Sequence, residues 1–290
     1  MSLNLKTNTT SEQDDAYLTT HPALSMRSLL QRHKNNSSTG STSNPSSTTE
    51  VPHPQPSRPF TGNFPSYALT LGGGVAIFHL ASQRVVLCYH TRDKYWFLPK
   101  GRRDAGEESG RGAEREGFEE SGYRNRLLPV PLRHRQPTGQ GKDPENYAIE
   151  PIWTQIMPVG SGSQYICFWY VAETLPPAEE AALSSPTPIG DGEAQNAQNT
   201  GSGVYQPPPP YPANLTLKER INVEPEGYEP PRHANTGVDE EELLYESYLL
   251  PIEEARSRLG NSISADIVRV GCDAICRRME FEEAQEAENP

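Results

Sequence analysis

The stretch Gly101–Tyr123, GRRDAGEESGRGAEREGFEESGY, constrains the fold of this chain more than any other. It opens as a basic, glycine-containing loop. Glu108 and Ser109 then start a helix that runs to Ser121 and stops at Gly122. On that helix Glu116, Glu119 and Glu120 stand at i, i+3 and i+4, so the three carboxylates share one face. Like charges so placed repel, and cations that neutralise them favour the helix. Hard oxygen donors select Mg²⁺ or Mn²⁺ over softer ions. Arg115 reaches Glu119 one turn on, or an upstream carboxylate, and fixes its rotamer. Gly112 and Gly117 each cost a helix roughly 1 kcal/mol relative to Ala, which points to close backbone approach. A solvated acidic face is the plain alternative.

The flanking sequence frames this helix with strands. ALTLGGGVAIFHL reads as a strand broken by glycines, and RVVLCYH as its partner across the turn at Ala81–Gln83. YWFLP stops at Pro99 and delivers Lys100 and Gly101. RNRLLPVPLRH is a further strand with Pro129 and Pro131 arguing for an edge or a bulge. IEPIWTQIMPV is another, after the loop GQGKDPEN, and SQYICFWYVAETL is the strongest strand pattern in the chain. LLYESYLLPIEEARSRL enters a helix at Pro251. A final helix, from about Ser264 to Gln285, buries Ile267, Val270, Ala274, Ile275 and Met279. This alternation predicts an α/β fold.

Two long stretches cannot supply such a core. Residues 1–60 are rich in Ser, Thr, Asn, Pro and His and read as a disordered tail, with a short helix near Ser25–Arg32. Residues 176–238 are rich in Pro, Gly, Ala, Ser and Asn, include the tetraproline Pro207–Pro210, and read as a low-complexity insertion. The expected organisation is one ordered domain over 61–285 interrupted by that insertion, with a short tail at 286–290. A polyproline-II docking segment for a protein partner is a second use of the insertion.

The formal net charge of −12 disfavours non-specific binding to nucleic acid or an anionic membrane. Between Arg92 and Arg135, however, eleven Lys/Arg face eight Asp/Glu, a local positive excess that suits an anionic ligand. Cys88, Cys167, Cys272 and Cys276 lack the spacing of a structural zinc site and read as buried small hydrophobes. With no secretory stretch and no run of eighteen apolar residues, the expected location is the cytoplasm, with the nucleus as a second compartment.

The run Gly101–Tyr123 resembles the Nudix box: glycine, five residues, glutamate, seven residues, Arg-Glu, an apolar residue, any residue, Glu-Glu, any residue, glycine, an apolar residue. Gly101, Glu107, Arg115, Glu116, Glu119, Glu120 and Gly122 fill every charged and glycine position, and Tyr123 fills the last. Gly117 departs, standing where a larger aliphatic residue is usual, so a packing gap or a displaced helix is expected there. The resemblance implies a Nudix-like α/β/α sandwich around a mixed β-sheet. It implies hydrolysis of a pyrophosphate bond, with Glu116, Glu119, Glu120 and the Gly101 carbonyl holding Mg²⁺ or Mn²⁺. Arg115 positions a glutamate, Glu107 supports the loop, and Glu120 or Glu119 orients the attacking water. In several members the general base lies outside the box, and Glu150 and Glu173 are candidates here.

WFLPKGRRDAGEE is similar to the lead-in of dinucleoside polyphosphate and diphosphoinositol polyphosphate hydrolases. It implies a polyphosphorylated small molecule held by Lys100, Arg102 and Arg103, with Arg124, Arg126, Arg133, His134 and Arg135 extending the positive area. Tyr95 and Trp96 are candidates for stacking on a base, although in a strand only one can face a given side. Hydrolysis of a nucleotide sugar, a coenzyme or capped RNA is the alternative within the resemblance. A non-catalytic Nudix-fold module that binds a phosphorylated ligand or a protein is the alternative outside enzymology.

Overall fold

A computed structural model of the chain describes residues 56–137, 146–160, 162–184 and 204–288. The expected helix at Ser25–Arg32, nearly all of the N-terminal tail and most of the GQGKDPEN loop lie outside these residues.

The apolar runs form one eight-stranded sheet. β1 (Leu69–His79) continues without a break through its three glycines, contrary to the expected interruption. β2 (Arg84–His90) turns back on it, β3 (Tyr95–Phe97) pairs with β2, and β4 (Lys100–Arg102) pairs with β1. The box helix α1 (Ser109–Ser121) follows, within one residue of the expected bounds at either end. β5 (Asn125–Leu127) is much shorter than the strand expected from RNRLLPVPLRH. Pro129 and Pro131 have no N–H for a ladder, and beyond β5 the described residues show the Leu128 N–H on the Val171 carbonyl and an isolated bridge from Val130 to Ala148. β6 (Trp153–Val159) and β7 (Ser163–Thr174) form a hairpin, and β7 runs parallel to β1 over ten residue pairs. Because the other pairings are antiparallel, the sheet is mixed.

Helices α2 (Pro177–Ser184) and α3 (Leu217–Asn222) precede β8 (Tyr245–Pro251), α4 (Ile252–Leu259) and α5 (Ile263–Glu288). Strand alternation divides the core in two. Val75 and Ile77 of β1 pack with Ala113 of α1, whereas Ala76 and Phe78 pack with Ile252 and Ala255 of α4 and Ile267 and Val268 of α5. Helices therefore cover both faces, the expected α/β/α sandwich. In α5 the core positions include Ile267, Val268, Cys272, Ala274 and Ile275; Val270 and Met279 are only half-buried.

The expectation that 176–238 needs no packed core is corrected for its described parts, 176–184 and 204–238. Leu217 and Arg220 of α3 are fully buried, and Tyr211, directly after the tetraproline, is 7% exposed. Guanidinium groups of Arg126 and Arg278 lie over the Tyr211 ring. Composition misses this docking because much of it is made by charged side chains. Arg220 pairs with Glu173 (2.8 Å) and Glu224 (2.8 Å), and Glu224 reaches His79 (2.9 Å). Tyr211 and Pro208 are buried against the domain, so the polyproline face is partly used internally.

Candidate active site

Antiparallel pairing of β4 with β1 opposes Gly101 to Gly73 and sets it against α1. The Glu116 carboxylate occupies the space next to it: a Cβ on residue 101 would stand 1.9 Å from Glu116 Oε2. Glu120 is fixed from the same strand, accepting the Lys100 N–H at 2.7 Å. The Gly101 carbonyl accepts the Tyr165 hydroxyl at 2.9 Å, which leaves a second lone pair.

Arg115 organises the loop and the helix together. Its Nη1 donates to Glu116 (2.9 Å) and Glu119 (2.6 Å), and its Nη2 donates to Glu107 (3.0 Å) and to the Arg102 carbonyl (2.9 Å). Glu107 also accepts the Asp104 N–H at 2.9 Å, which pins the loop. Burial alone would raise the Glu107 carboxyl; the bonds from Arg115 and Asp104 hold it below its ordinary value. The role expected for Glu107 as loop support matches these contacts.

Electrostatics at the helix end are those of crowded, desolvated carboxylates. Burial lifts Glu116 to about 7 against the pull of Arg115, with Glu119 and Glu242 adding to the rise. Burial lifts Glu120 to about 8 against the charge and N–H of Lys100, with Glu116 and Glu242 again adding. Glu119 is also raised, chiefly by burial.

The structure groups these acids differently from the expected triad. Glu116, Glu120 and Glu242 bring one carboxylate oxygen each within 4.8 Å of one another, whereas Glu119 is turned to Arg115. Sequence reasoning missed Glu242. Its signal is faint: it ends the acidic run Asp239–Glu242 just before the β8 strand, and β8 is neighbour to β2. The donor set fits Mg²⁺ or Mn²⁺, being three hard carboxylate oxygens. The cradle at Gly101, which a Cβ would fill, makes the fit specific to this backbone.

The other expected residues separate into two groups. Lys100 and Arg102 sit on β4 next to the carboxylates, Lys100 half-buried and Arg102 exposed. Arg103 turns its guanidinium to the Glu107 carbonyl. Arg133, His134 and Arg135 are exposed on the segment beyond β5. Arg124 is not available as a substrate group: it is 4% exposed, 3.3 Å from Glu180 and stacked over Phe118. Arg126 is 1% exposed and pairs with Glu173 at 2.7 Å. Glu173 is fully buried between Arg126 and Arg220, so it does not serve as a base for a site water. Glu150, half-buried after Ile149, does not join the carboxylate group. Trp96 packs between Tyr89, Tyr248 and Arg258. Tyr95, 47% exposed, faces the opposite side. Burial first, and then the carboxylates of Asp93, Glu120 and Glu241, push its phenol upward.

The packing gap expected at Gly117 is absent. A Cβ there would stand 2.7 Å from Asn125 Nδ2 and 2.8 Å from Val75 Cγ1. Asn125 fills the place of the usual aliphatic side chain and donates to the carbonyls of Glu114 (3.0 Å) and Tyr123 (3.3 Å). The helix is tied to β5 instead of displaced from it.

The profile of the NUDIX domain matches residues 70–187. No curated protein sequence matches significantly. Among solved structures, the chain is similar to a NUDIX hydrolase from Nitrosomonas europaea at 12% identity, over 69% of this chain and 84% of that one, with a TM-score of 0.33. It is similar to a NUDIX-family hydrolase from Clostridium perfringens at 24% identity, over 36% and 68% of the two chains, with a TM-score of 0.27. An Ap4A hydrolase from C. elegans matches at 18% identity, over 38% and 71%, with a TM-score of 0.24.

Proposed function

We propose that the chain, whose residues 70–187 match the profile of the NUDIX domain, is a metal-dependent hydrolase of a pyrophosphate bond in a polyphosphorylated small molecule. The observation that carries this reading is the convergence of Glu116, Glu120 and Glu242 beside the Lys100–Gly101 backbone. A pure binding module has little use for three crowded carboxylates that repel one another.

Glu116, Glu120 and Glu242, with the Gly101 carbonyl, would hold Mg²⁺ or Mn²⁺. Such a cation lowers the pKa of bound water and neutralises charge on phosphoryl oxygens. Arg115 keeps Glu116 and Glu119 in place without competing for the substrate. Glu120 is held through Oε2 by the Lys100 N–H, and among the described residues its Oε1 accepts no hydrogen bond. That oxygen is free for the metal, and Glu120 or Glu119 would orient the attacking water. Glu242 would serve as a metal-holding acid outside the box, whereas Glu150 and Glu173, the candidates for a general base there, do not join the carboxylate group.

Within this class we favour a dinucleoside polyphosphate such as a diadenosine polyphosphate. Lys100 and Arg102 offer charge to a phosphate chain, and the exposed ring of Tyr95 offers a face to a base. A diphosphoinositol polyphosphate is the second reading. It would call on Arg133 and its neighbours, and it has lost Arg124 and Arg126 to internal ion pairs. An intracellular location accords with either substrate; among the described residues no helix is long and apolar enough to cross a membrane.

The test is turnover, with Mg²⁺ and with Mn²⁺, of diadenosine polyphosphates, diphosphoinositol phosphates, ADP-ribose, nucleotide sugars and capped RNA. Cleavage of the diadenosine polyphosphates in preference to the others is expected. Absence of turnover on all of them overturns the enzymatic reading.

A further inference from the structure

A second group of metal-ligating side chains lies just beyond the first. His90, Asp93 and Glu241 also bring one ligand atom each within 4.8 Å of one another. Their hydrogen bonds, however, leave the imidazole no lone pair to give. The Asp93 backbone N–H can only donate, and it donates to His90 Nδ1 at 3.0 Å. The hydrogen of the neutral ring is therefore on Nε2, which donates to Glu241 Oε1 at 2.8 Å. Arg92 occupies both oxygens of the same carboxylate, at 2.8 and 3.2 Å. A ring nitrogen carrying hydrogen and a carboxylate already filled by a guanidinium make a clamp, not a cation site.

What the clamp grips is the residue beside Glu242. Glu241 and Glu242 share a short turn in which both N–H groups donate to Asp239 Oδ1, at 2.9 and 3.0 Å. The far end of that turn is fastened to the same strand end: the Thr91 N–H and hydroxyl both donate to the Leu244 carbonyl, at 3.0 and 2.8 Å. Its near end is fastened to the box helix, where the Thr236 hydroxyl donates to the Glu119 carbonyl at 2.8 Å. His90 is fully buried under Tyr95 and Tyr245, so the anchor point itself is rigid. Glu242 thus projects toward Glu116 and Glu120 from a turn held at three places, one of them the His90–Arg92–Glu241 contact.

We propose that His90 and Arg92, acting through Glu241, are positioning residues that set the Asp239–Leu244 turn and so deliver Glu242 to the metal-binding carboxylates. The proposal rests on the metal-site reading given above. Partners that orient a metal-ligating group characteristically alter metal affinity 10- to 100-fold when removed, even though they never touch the ion.

Glu241 and Arg92 are exposed, so their variants keep the core intact, whereas His90→Ala also removes a buried ring. Mn²⁺ binding to the full chain, measured by titration calorimetry without substrate, is the readout, with the thermal midpoint recorded alongside. Glu241→Ala is expected to weaken Mn²⁺ binding about 10-fold with an unchanged thermal midpoint, and Arg92→Ala to weaken it by a smaller factor. Glu242→Gln should weaken binding as much or more. The double variant Glu241→Ala/Glu242→Gln should match Glu242→Gln alone, since a positioning effect has nothing left to position. His90→Gln, which keeps an N–H donor at that depth, should bind more tightly than His90→Ala. Wild-type affinity in Glu241→Ala, or losses that multiply in the double variant, would overturn the clamp while leaving the metal site standing. A wild-type chain that fails to bind Mn²⁺ removes the metal site and the clamp together.

Discussion

The carboxylate of Glu116 occupies the space that a side chain on residue 101 would need, 1.9 Å from the position of its Cβ. The contact joins a strand of the sheet to the middle of the box helix, and it leaves no room for adjustment because Arg115 holds the other oxygen of Glu116 at 2.9 Å. Gly101→Ala is accordingly expected to expel the carboxylate from the site. Displacing a reacting or ligating group by about 1 Å costs on the order of 10²-fold in rate, and a loss of at least that size in kcat/KM is expected, with the fold retained by circular dichroism.

Acid groups outside the box give a contrast between chemistry and folding. Glu242→Gln is expected to lower metal-dependent turnover at least about 10-fold with little change in thermal midpoint. Glu173→Gln should do the reverse. It leaves Arg126 and Arg220 without their full buried partner, and breaking such a pair costs about 3–5 kcal/mol of stability, read by chemical denaturation. Glu150→Gln should match wild type in both measurements.

Stability of the metal-free protein should depend on pH with a definite sign. Burial raises Glu116 to about 7 and Glu120 to about 8 in the folded chain, whereas an unfolded glutamate titrates at about 4.3. Their protonated forms favour folding, so this contribution is complete below about 4.3 and is lost as pH rises through 7 to 8. In EDTA the thermal midpoint should fall between pH 5 and pH 8.5. Added Mg²⁺ should restore it most at the upper end, and Glu116→Gln should flatten the slope. Differential scanning calorimetry across that range checks all three expectations.

Gly117 and Asn125 should behave as one unit. Gly117→Val forces methyl groups into space held by Asn125 Nδ2 and Val75 Cγ1, and overpacking of this kind costs about 1–3 kcal/mol. Combining it with Asn125→Ala, which vacates part of the space, should cost less than the sum of the two single substitutions. Additive costs would show that Asn125 does not fill the position left by the missing aliphatic residue.

Local patterns carried much of this structure in plain view. The period and glycine bounds of Ser109–Ser121, the alternation in Ser163–Thr174 and the turn into α4 at Pro251 are set by near neighbours, and each element forms where its pattern lies. Arg115 reaching Glu119 is likewise an i, i+4 relation. Partners brought together from afar could not be read that way. Glu242 reaches Glu116 through β8 pairing with β2, Asn125 meets Gly117 through a helix crossing a strand, and Arg220 meets Glu173 across the sandwich. A charged side chain also looks the same in sequence whether it faces solvent or a buried partner, which is why Arg124 and Arg126 read as substrate groups. The Pro-rich tract before β8 was misread because it docks largely through ion pairs, and hydropathy gives no sign of them.

The pairing of β8 with β2 over Arg84–Pro251 to His90–Tyr245 has a consequence for the order of assembly. During synthesis the box helix and its lead-in strand leave the ribosome well before residue 242 exists. A nascent chain can complete the motif and still lack its third carboxylate until the C-terminal strand closes against the second. Such long sequence separations make closure a late step. The proposed metal site is therefore complete only when the whole sheet is, and a chain interrupted before that closure would carry the box without the third carboxylate.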